Sequence, residues 1–185
     1  MNDLLFAQGQ DNLAGLVDKI YICASEDILT VPALTAATSL KTAADIVCKT
    51  GKKFAQIYIT DETGKVETKS VGPRDGKGRE TVLSGRHPAL GHELEDLIRQ
   101  CQNTPSVLIY RLARNGKMFA LGLNQPDITT TALSTDIPAY FETGDASSGE
   151  KRADQNGALL SWKFGCAHGP IEYGGQLASL LLPGV

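Results

Sequence analysis

The sequence predicts a mainly β fold, α+β by content: an antiparallel β-sandwich or barrel with one flanking α-helix. Three observations predict it. Short runs of β-branched and aromatic residues recur between turn-forming residues. Glycine is frequent, at 19 of 185 residues, as many tight turns require. One segment alone carries a convincing helical period.

Residues 1–16 hold polar groups and little periodicity, and read as an N-terminal arm. Residues 17–24 predict a strand with Ile20 and Ile22 on one face and Tyr21 and Cys23 on the other. Residues 39–48 admit two readings, a short helix capped by Ser39 or a strand over 45–49. Residues 54–60 and 65–71 flank Asp61-Glu62-Thr63-Gly64, which predicts a β-hairpin with Gly64 left-handed. The Gly/Arg/Lys-rich run 72–79 reads as an exposed loop, and 80–84 as a returning strand.

The helix is predicted over 88–102. Pro88 suits its first turn, and Leu90, Leu94, Leu97, Ile98 and Cys101 form one apolar stripe. Glu93, Glu95 and Asp96 precede Arg99, as the helix dipole favours. A second hairpin follows, 107–112 with 118–123 about Asn115-Gly116, the strongest short hairpin signal. Further strands are expected at 128–133 and 140–143. Residues 144–157 read as a long mobile loop. Residues 159–166 close the sheet with Leu160, Trp162 and Phe164 on one side. The segment 174–185 reads as a C-terminal tail with a short apolar end.

The length fits one domain, 1–185. Hydrophobic residues at 42% and charged residues at 21% exclude a disordered chain. A net charge of −3 argues against a strongly basic nucleic-acid-binding domain. Charge is nevertheless uneven: residues 51–86 carry eight Lys/Arg against five Asp/Glu. The first residues lack the basic and apolar stretches of a signal peptide, and no run reaches the roughly 20 apolar residues of a membrane helix. The expectation is a soluble protein made in a cytoplasm. Cys23, Cys48, Cys101 and Cys166 are widely spaced and expected to be reduced, buried thiols.

The chemical motifs fail on spacing. Gly72 to Arg79 lacks the four-residue gap and the Lys-Ser/Thr of a phosphate loop. His87 and His92 lie five apart, off a common helix face, and Asp96 stands where a zincin-like second histidine is needed. No two cysteines have zinc-site spacing, and His168 lacks a near partner besides Cys166. No cofactor or metal is expected. Ser84 beside His87 is the one nucleophile–base candidate, without a Gly-x-Ser-x-Gly elbow.

The order of elements carries a resemblance. A hairpin (54–71), a basic Gly-rich loop (72–79), the segment Leu83-Ser84-Gly85-Arg86-His87-Pro88, one helix, and a hairpin turning at Asn115-Gly116 and ending Leu121-Gly122-Leu123 together resemble the tail tube proteins of long-tailed bacteriophages. Ile137-Pro138-Ala139-Tyr140-Phe141-Glu142-Thr143-Gly144 and Asp154-Gln155-Asn156-Gly157 resemble small virion proteins of phages infecting Bacteroidota. The resemblance covers about residues 54–165. It implies a two-sheet sandwich with one helix, six copies per ring, and inner-sheet strands joined into a barrel. Rings stack into a virion tail tube that conducts DNA, and other tail proteins are partners. It implies no enzyme activity and no membrane insertion.

The expected assembly residues are charged loop residues: Arg74, Lys77 and Arg79 in one loop, Asp145, Glu150, Lys151, Arg152 and Asp154 in the other. Two alternatives stand beside the tube. One is another tail or head–tail ring protein, a terminator or connector. The other is a small β-rich hydrolase using Ser84 and His87.

Overall fold

A strand buried on both faces must read as a continuous apolar run, because period-two alternation has no solvent side to serve. Residues 107–110 read that way, and they form the middle of the seven-stranded sheet. The computed structural model describes residues 15–113, 116–149, 156–182 and 184. The fold is mainly β, as the sequence predicts.

The strands are β1 (Leu16–Ala24), β2 (Ile28–Thr30), β3 (Leu34–Ala36), β4 (Ser39–Thr42), β5 (Val47–Cys48), β6 (Ala55–Tyr58) and β7 (Lys65–Val71). They continue with β8 (Gly78–Pro88), then helix α1 (His92–Cys101), β9 (Ser106–Leu112), β10 (Met118–Leu121), β11 (Tyr140–Ser147), β12 (Gly157–Cys166) and β13 (Ile171–Tyr173). A short helix, α2 (Leu177–Leu181), follows β13. Seven strands form one sheet in the order β3-β4-β13-β10-β9-β1-β6. Four form an antiparallel sheet in the order β11-β12-β8-β7, and β2 pairs with β5.

Two cores lie on opposite faces of the seven-stranded sheet. On one face Ile20, Ile22, Leu108 and Leu121 meet Leu83, Leu160, Trp162 and Phe164 of the four-stranded sheet, with Leu94, Ile98 and Cys101 of α1. On the other face Tyr21, Cys23, Val107, Ile109 and Ile171 meet Ile28, Ile46, Cys48, Phe54 and Leu180. The predicted alternation in β1 is therefore correct, and both of its faces are core. The expected two-layer sandwich has an additional layer, built from β2, β5 and α2. The apolar end of the expected tail is that second helix, with Leu180 buried.

The hairpin expected over 54–71 does not form. β6 pairs with β1, placing Ile57 beside Ile20, while β7 pairs with β8, placing Val66 beside Leu83. Residues 59–64 carry the chain from one sheet to the other. Their turn is closed by the Thr63 N–H and hydroxyl donating to the Thr60 carbonyl at 3.1 and 2.6 Å. Glu62, not Gly64, holds the positive φ, at 62°. Each strand gains a longer partner this way, and Ile57, Ile59 and Val66 all still reach the first core. The true hairpin is β7–β8, with 72–77 at its tip.

Three other expectations need correction, and one open choice, at residues 39–48, is decided in favour of strands. The helix starts at His92, since β8 stays paired with β12 as far as Pro88 opposite Gly157. Leu90 thus lies outside the helix and is exposed, whereas Leu94, Ile98 and Cys101 are buried as the stripe requires. Residues 39–48 contain strands and no helix. Residues 128–133 form no strand, and Ile128 is 75% exposed. There the Thr129 N–H donates to Asp127 Oδ1 and the Ala132 N–H to Thr130 Oγ1, local bonds that compete with a ladder. Gln125 anchors this loop, its Nε2 donating to the Ala37 and Thr130 carbonyls at 2.9 and 2.7 Å. Strand β11 runs on to Ser147, so the expected loop 144–157 begins later than the sequence predicts.

Across the far end of the large sheet, Glu172 on β13 bridges Lys41 at 3.2 Å and Lys117 at 3.1 Å. Partial burial pushes its carboxyl up, but hydrogen bonds and charge from the two lysines outweigh that and hold it below the usual carboxylate range. A depressed folded-state value stabilises the fold above the unfolded value and loses that contribution as pH falls through the folded one. Glu172→Gln should therefore lower stability by about 1 kcal/mol near pH 7, given lysines that are half-exposed. Parent and variant should converge on acidification below the ordinary carboxylate range. Urea titrations at several pH values measure this, and an undiminished gap at low pH would refute it. Leu94→Asp should cost at least about 2–5 kcal/mol by placing a charge in the first core. The midpoint is readable from the single tryptophan, Trp162, which packs edge-on to Phe141 at 5.4 Å.

Candidate assembly surface

In an antiparallel sheet with one face on the core, alternate residues of each strand face outward. The four-stranded sheet has such a free face. Its rungs follow from the register: Asp145–Leu159–Arg86, Thr143–Ser161–Ser84–Lys65, Tyr140–Lys163–Val82–Glu67 and Gly165–Glu80–Lys69. Cations and carboxylates are mixed across it. Lys163 pairs with Glu80 at 2.8 Å, and Lys65 with Glu67 at 2.7 Å. Each pair stabilises its own charged forms: Lys65 lowers the Glu67 value and Glu80 raises that of Lys163. Towards the β11 side, Thr143 and Ser161 share a hydroxyl hydrogen bond at 3.0 Å. The negative charge of the whole chain is not concentrated on this face.

Among the described residues, the sheet's two edges are β7 and β11. They are seven and eight residues long. Every pairing within the sheet is antiparallel, and there are four strands, so β7 and β11 run antiparallel to each other. On β7 the charges Lys65, Glu67 and Lys69 all belong to the free face, whereas Val66, Thr68 and Ser70 face inward. A strand added to either edge would not force a charge into the core.

The predicted assembly residues that are described fall towards the two ends of this sheet. Arg74 and Lys77 lie in the β7–β8 tip, and Arg79 is the second residue of β8. Asp145 lies on β11, near the end where Ser147 pairs with Gly157. Gly157 pairs with Pro88 and Cys166 with Arg79, so the β7–β8 tip and the Ser147–Gly157 pair lie at opposite ends of β8, about 30 Å apart at ~3.3 Å per residue. Glu150, Lys151, Arg152 and Asp154 lie outside the described residues. Among the described residues, Arg79 and Asp145 thus lie towards opposite ends of the sheet.

The hydrolase candidate does not assemble. Ser84 and His87 are three apart on one strand, so they project to opposite faces. His87 Nδ1 is hydrogen-bonded to the Tyr58 carbonyl at 2.8 Å. His168 Nε2 accepts from the Gln125 N–H at 3.0 Å, and its Nδ1 lies 2.7 Å from the Gly169 carbonyl, which makes this ring a brace between loops. Among the described residues, no three His, Cys, Asp or Glu side chains converge as metal ligands, and no helix is long and apolar enough to cross a membrane.

What the sequence reading missed are the edge strands themselves. The signal was present as Lys65-x-Glu67-x-Lys69, charges at period two beside a turn. It could not be assigned to an edge while β7 was read as the partner of β6. Comparison of the chain with family models, with curated proteins and with solved structures gives no match.

Gly85, next to Ser84, has a packing role. A Cβ there would stand 2.6 Å from Ile59 Cγ2 and 2.9 Å from its Cδ1. Gly85→Ala should therefore destabilise by about 1–3 kcal/mol through overpacking. An Ile59→Val/Gly85→Ala double variant should recover part of that loss in the same urea titration. Full stability of the single variant would show that the contact is slack.

Proposed function

We propose that the chain is a structural subunit that self-assembles through the two edges of its four-stranded sheet, as a tail-tube-like ring protein would. The observation that carries this reading is the matched pair of free edges. Because β7 and β11 are antiparallel and nearly equal in length, β11 of one copy laid beside β7 of the next continues the same antiparallel ladder. Repetition of that head-to-tail contact closes a ring if the rotation per copy allows it. Each free edge strand leaves backbone donors and acceptors that such pairing satisfies.

The ends of the sheet support stacking of the rings. A basic tip with Arg74, Lys77 and Arg79 lies at one end, and Asp145 lies towards the other. When identical rings stack in one sense, opposite ends meet and these charges face each other. The mixed-charge, hydroxyl-bearing free face suits a lumen through which a nucleic acid slides, since it offers no dense cationic array for phosphates. A terminator or connector would use the same edges in a single ring. The β7 charges favour a second reading, in which they keep the edge solvated and the chain monomeric.

Light scattering and negative-stain microscopy of the full chain separate these readings. We expect rings or tubes from the parent. Lys65→Glu/Lys69→Glu should weaken assembly while circular dichroism stays unchanged, and adding Glu142→Lys/Asp145→Lys should restore it. Shortening residues 72–77 to a tight turn should leave rings but reduce stacking. A parent that remains monomeric at every concentration tested would overturn the assembly reading.

A further inference from the structure

Two buried thiols from different layers meet in the second core. Cys23 Sγ, near the end of β1, lies 3.9 Å from Cys48 Sγ on β5. Neither strand is a ladder neighbour of the other, so this contact is made by packing alone. A cleft of about 360 Å³ opens beside the end of α1, and Cys23 is part of its wall with Asp27, Lys53, Leu97 and Cys101. Cys23 thus lies beside a cleft, although the residue itself is buried, 5% exposed. The β2–β5 ladder that carries Cys48 has two paired positions, Ile28 with Cys48 and Thr30 with Val47, continued by the Lys49 N–H donating to the Asp27 carbonyl at 2.8 Å. It is the lightest-held ladder with a cysteine in it.

We propose that Cys23 and Cys48 are a modification site, an oxidant-dependent disulfide that fastens the β2–β5 layer to the central sheet. The oxidant class is a hydroperoxide. The Cys23 sulfur attacks the peroxide, the O–O bond breaks, and a sulfenic acid forms with loss of water or alcohol. The Cys48 sulfur then displaces hydroxide from that sulfenic sulfur, which leaves as water with the Cys48 proton. Overall the two thiols lose two electrons and two protons, the peroxide gains them, and one S–S bond is made.

The geometry asks for a modest movement. A disulfide holds its sulfurs at about 2.05 Å, so the pair must close by about 2 Å. Side-chain rotation with a small shift of the two-residue β5 supplies this. Burial pushes the Cys23 thiol up to about 12 and also raises Cys48, which keeps the pair protonated and slow to react. The site therefore responds to sustained oxidation. The other two thiols differ. Cys101 sits on the cleft wall from α1, and Cys166 donates to the His168 carbonyl at 3.1 Å.

The test is peptide mapping of the full chain after hydrogen peroxide treatment, alkylation of free thiols and digestion without reductant. We expect Cys23 and Cys48 peptides joined, with two hydrogens lost, and Cys101 and Cys166 alkylated. The bridge closes a loop between positions 25 apart and should raise the melting temperature by about 5–10 °C, reversibly with dithiothreitol. Cys48→Ser should abolish the bridge and the shift, and Cys101→Ser should keep both. A Cys23–Cys101 bridge, a sulfinic Cys23 with Cys48 still free, bridges only between copies, or four unreacted thiols would each overturn the proposal. The mapping of the parent decides the matter even if a variant fails to fold. Its outcome is independent of ring formation.

Discussion

The rest of the structure depends on the burial of β1 and β9 from both sides. Ile20 and Ile22 enter one core, Tyr21 and Cys23 the other, and the same division splits Leu108 from Val107 and Ile109. A sheet with two apolar faces needs two covers. The four-stranded sheet with α1 supplies one. The β2–β5 pair, Phe54 and α2 supply the second. Irregular segments that look like connections in the sequence are thus recruited as a layer, because the central sheet would otherwise expose Tyr21, Ile109 and Ile171.

The same demand explains the sheet change at residues 59–64. Had β6 turned back onto β7, neither β1 nor β8 would have gained its partner from this segment. Sending β6 to β1 and β7 to β8 extends both sheets at their edges. It also leaves the four-stranded sheet with β7 and β11 as antiparallel free edges. The surface on which the assembly reading rests is thus a consequence of how the core is covered. Its charges stand on the solvated side, where they cost nothing in burial.

Several of the polar groups that enter the interior are paired with one another or with backbone, whereas the Trp162 Nε1 and Ser134 Oγ atoms are buried without a partner among the described residues. Gln125 satisfies two loop carbonyls, His168 braces the same loop, and Thr68 pairs with Thr81 at 3.0 Å between neighbouring strands. Such pairs fix which loop lies where, since a shifted register would leave each of them unsatisfied. Glycine contributes in a comparable way at Gly85, where the missing Cβ lets Ile59 of the crossover pack onto β8.

The sequence by itself determined the elements whose signal is local. The period of Leu94, Ile98 and Cys101 is visible without any neighbour, and so is the alternation of Leu160, Trp162 and Phe164. Asn115-Gly116 forces a reversal between two apolar runs, and Gly116 indeed has φ of 65°. Only the tertiary structure decided what pairs with what. Residues 54–58 and 65–71 are good strands under any reading, but a strand's hydrogen bonds are indifferent to which chain segment supplies them, and the choice is made by total burial. The same reason hid α2, whose five residues have too little period to register, and the start of α1, where a sheet register overrode the preference of Pro88 for a first turn. It also hid the candidate surface, because an edge is not a property of a strand. It is a statement about which neighbour is missing, and no segment of the sequence carries that alone.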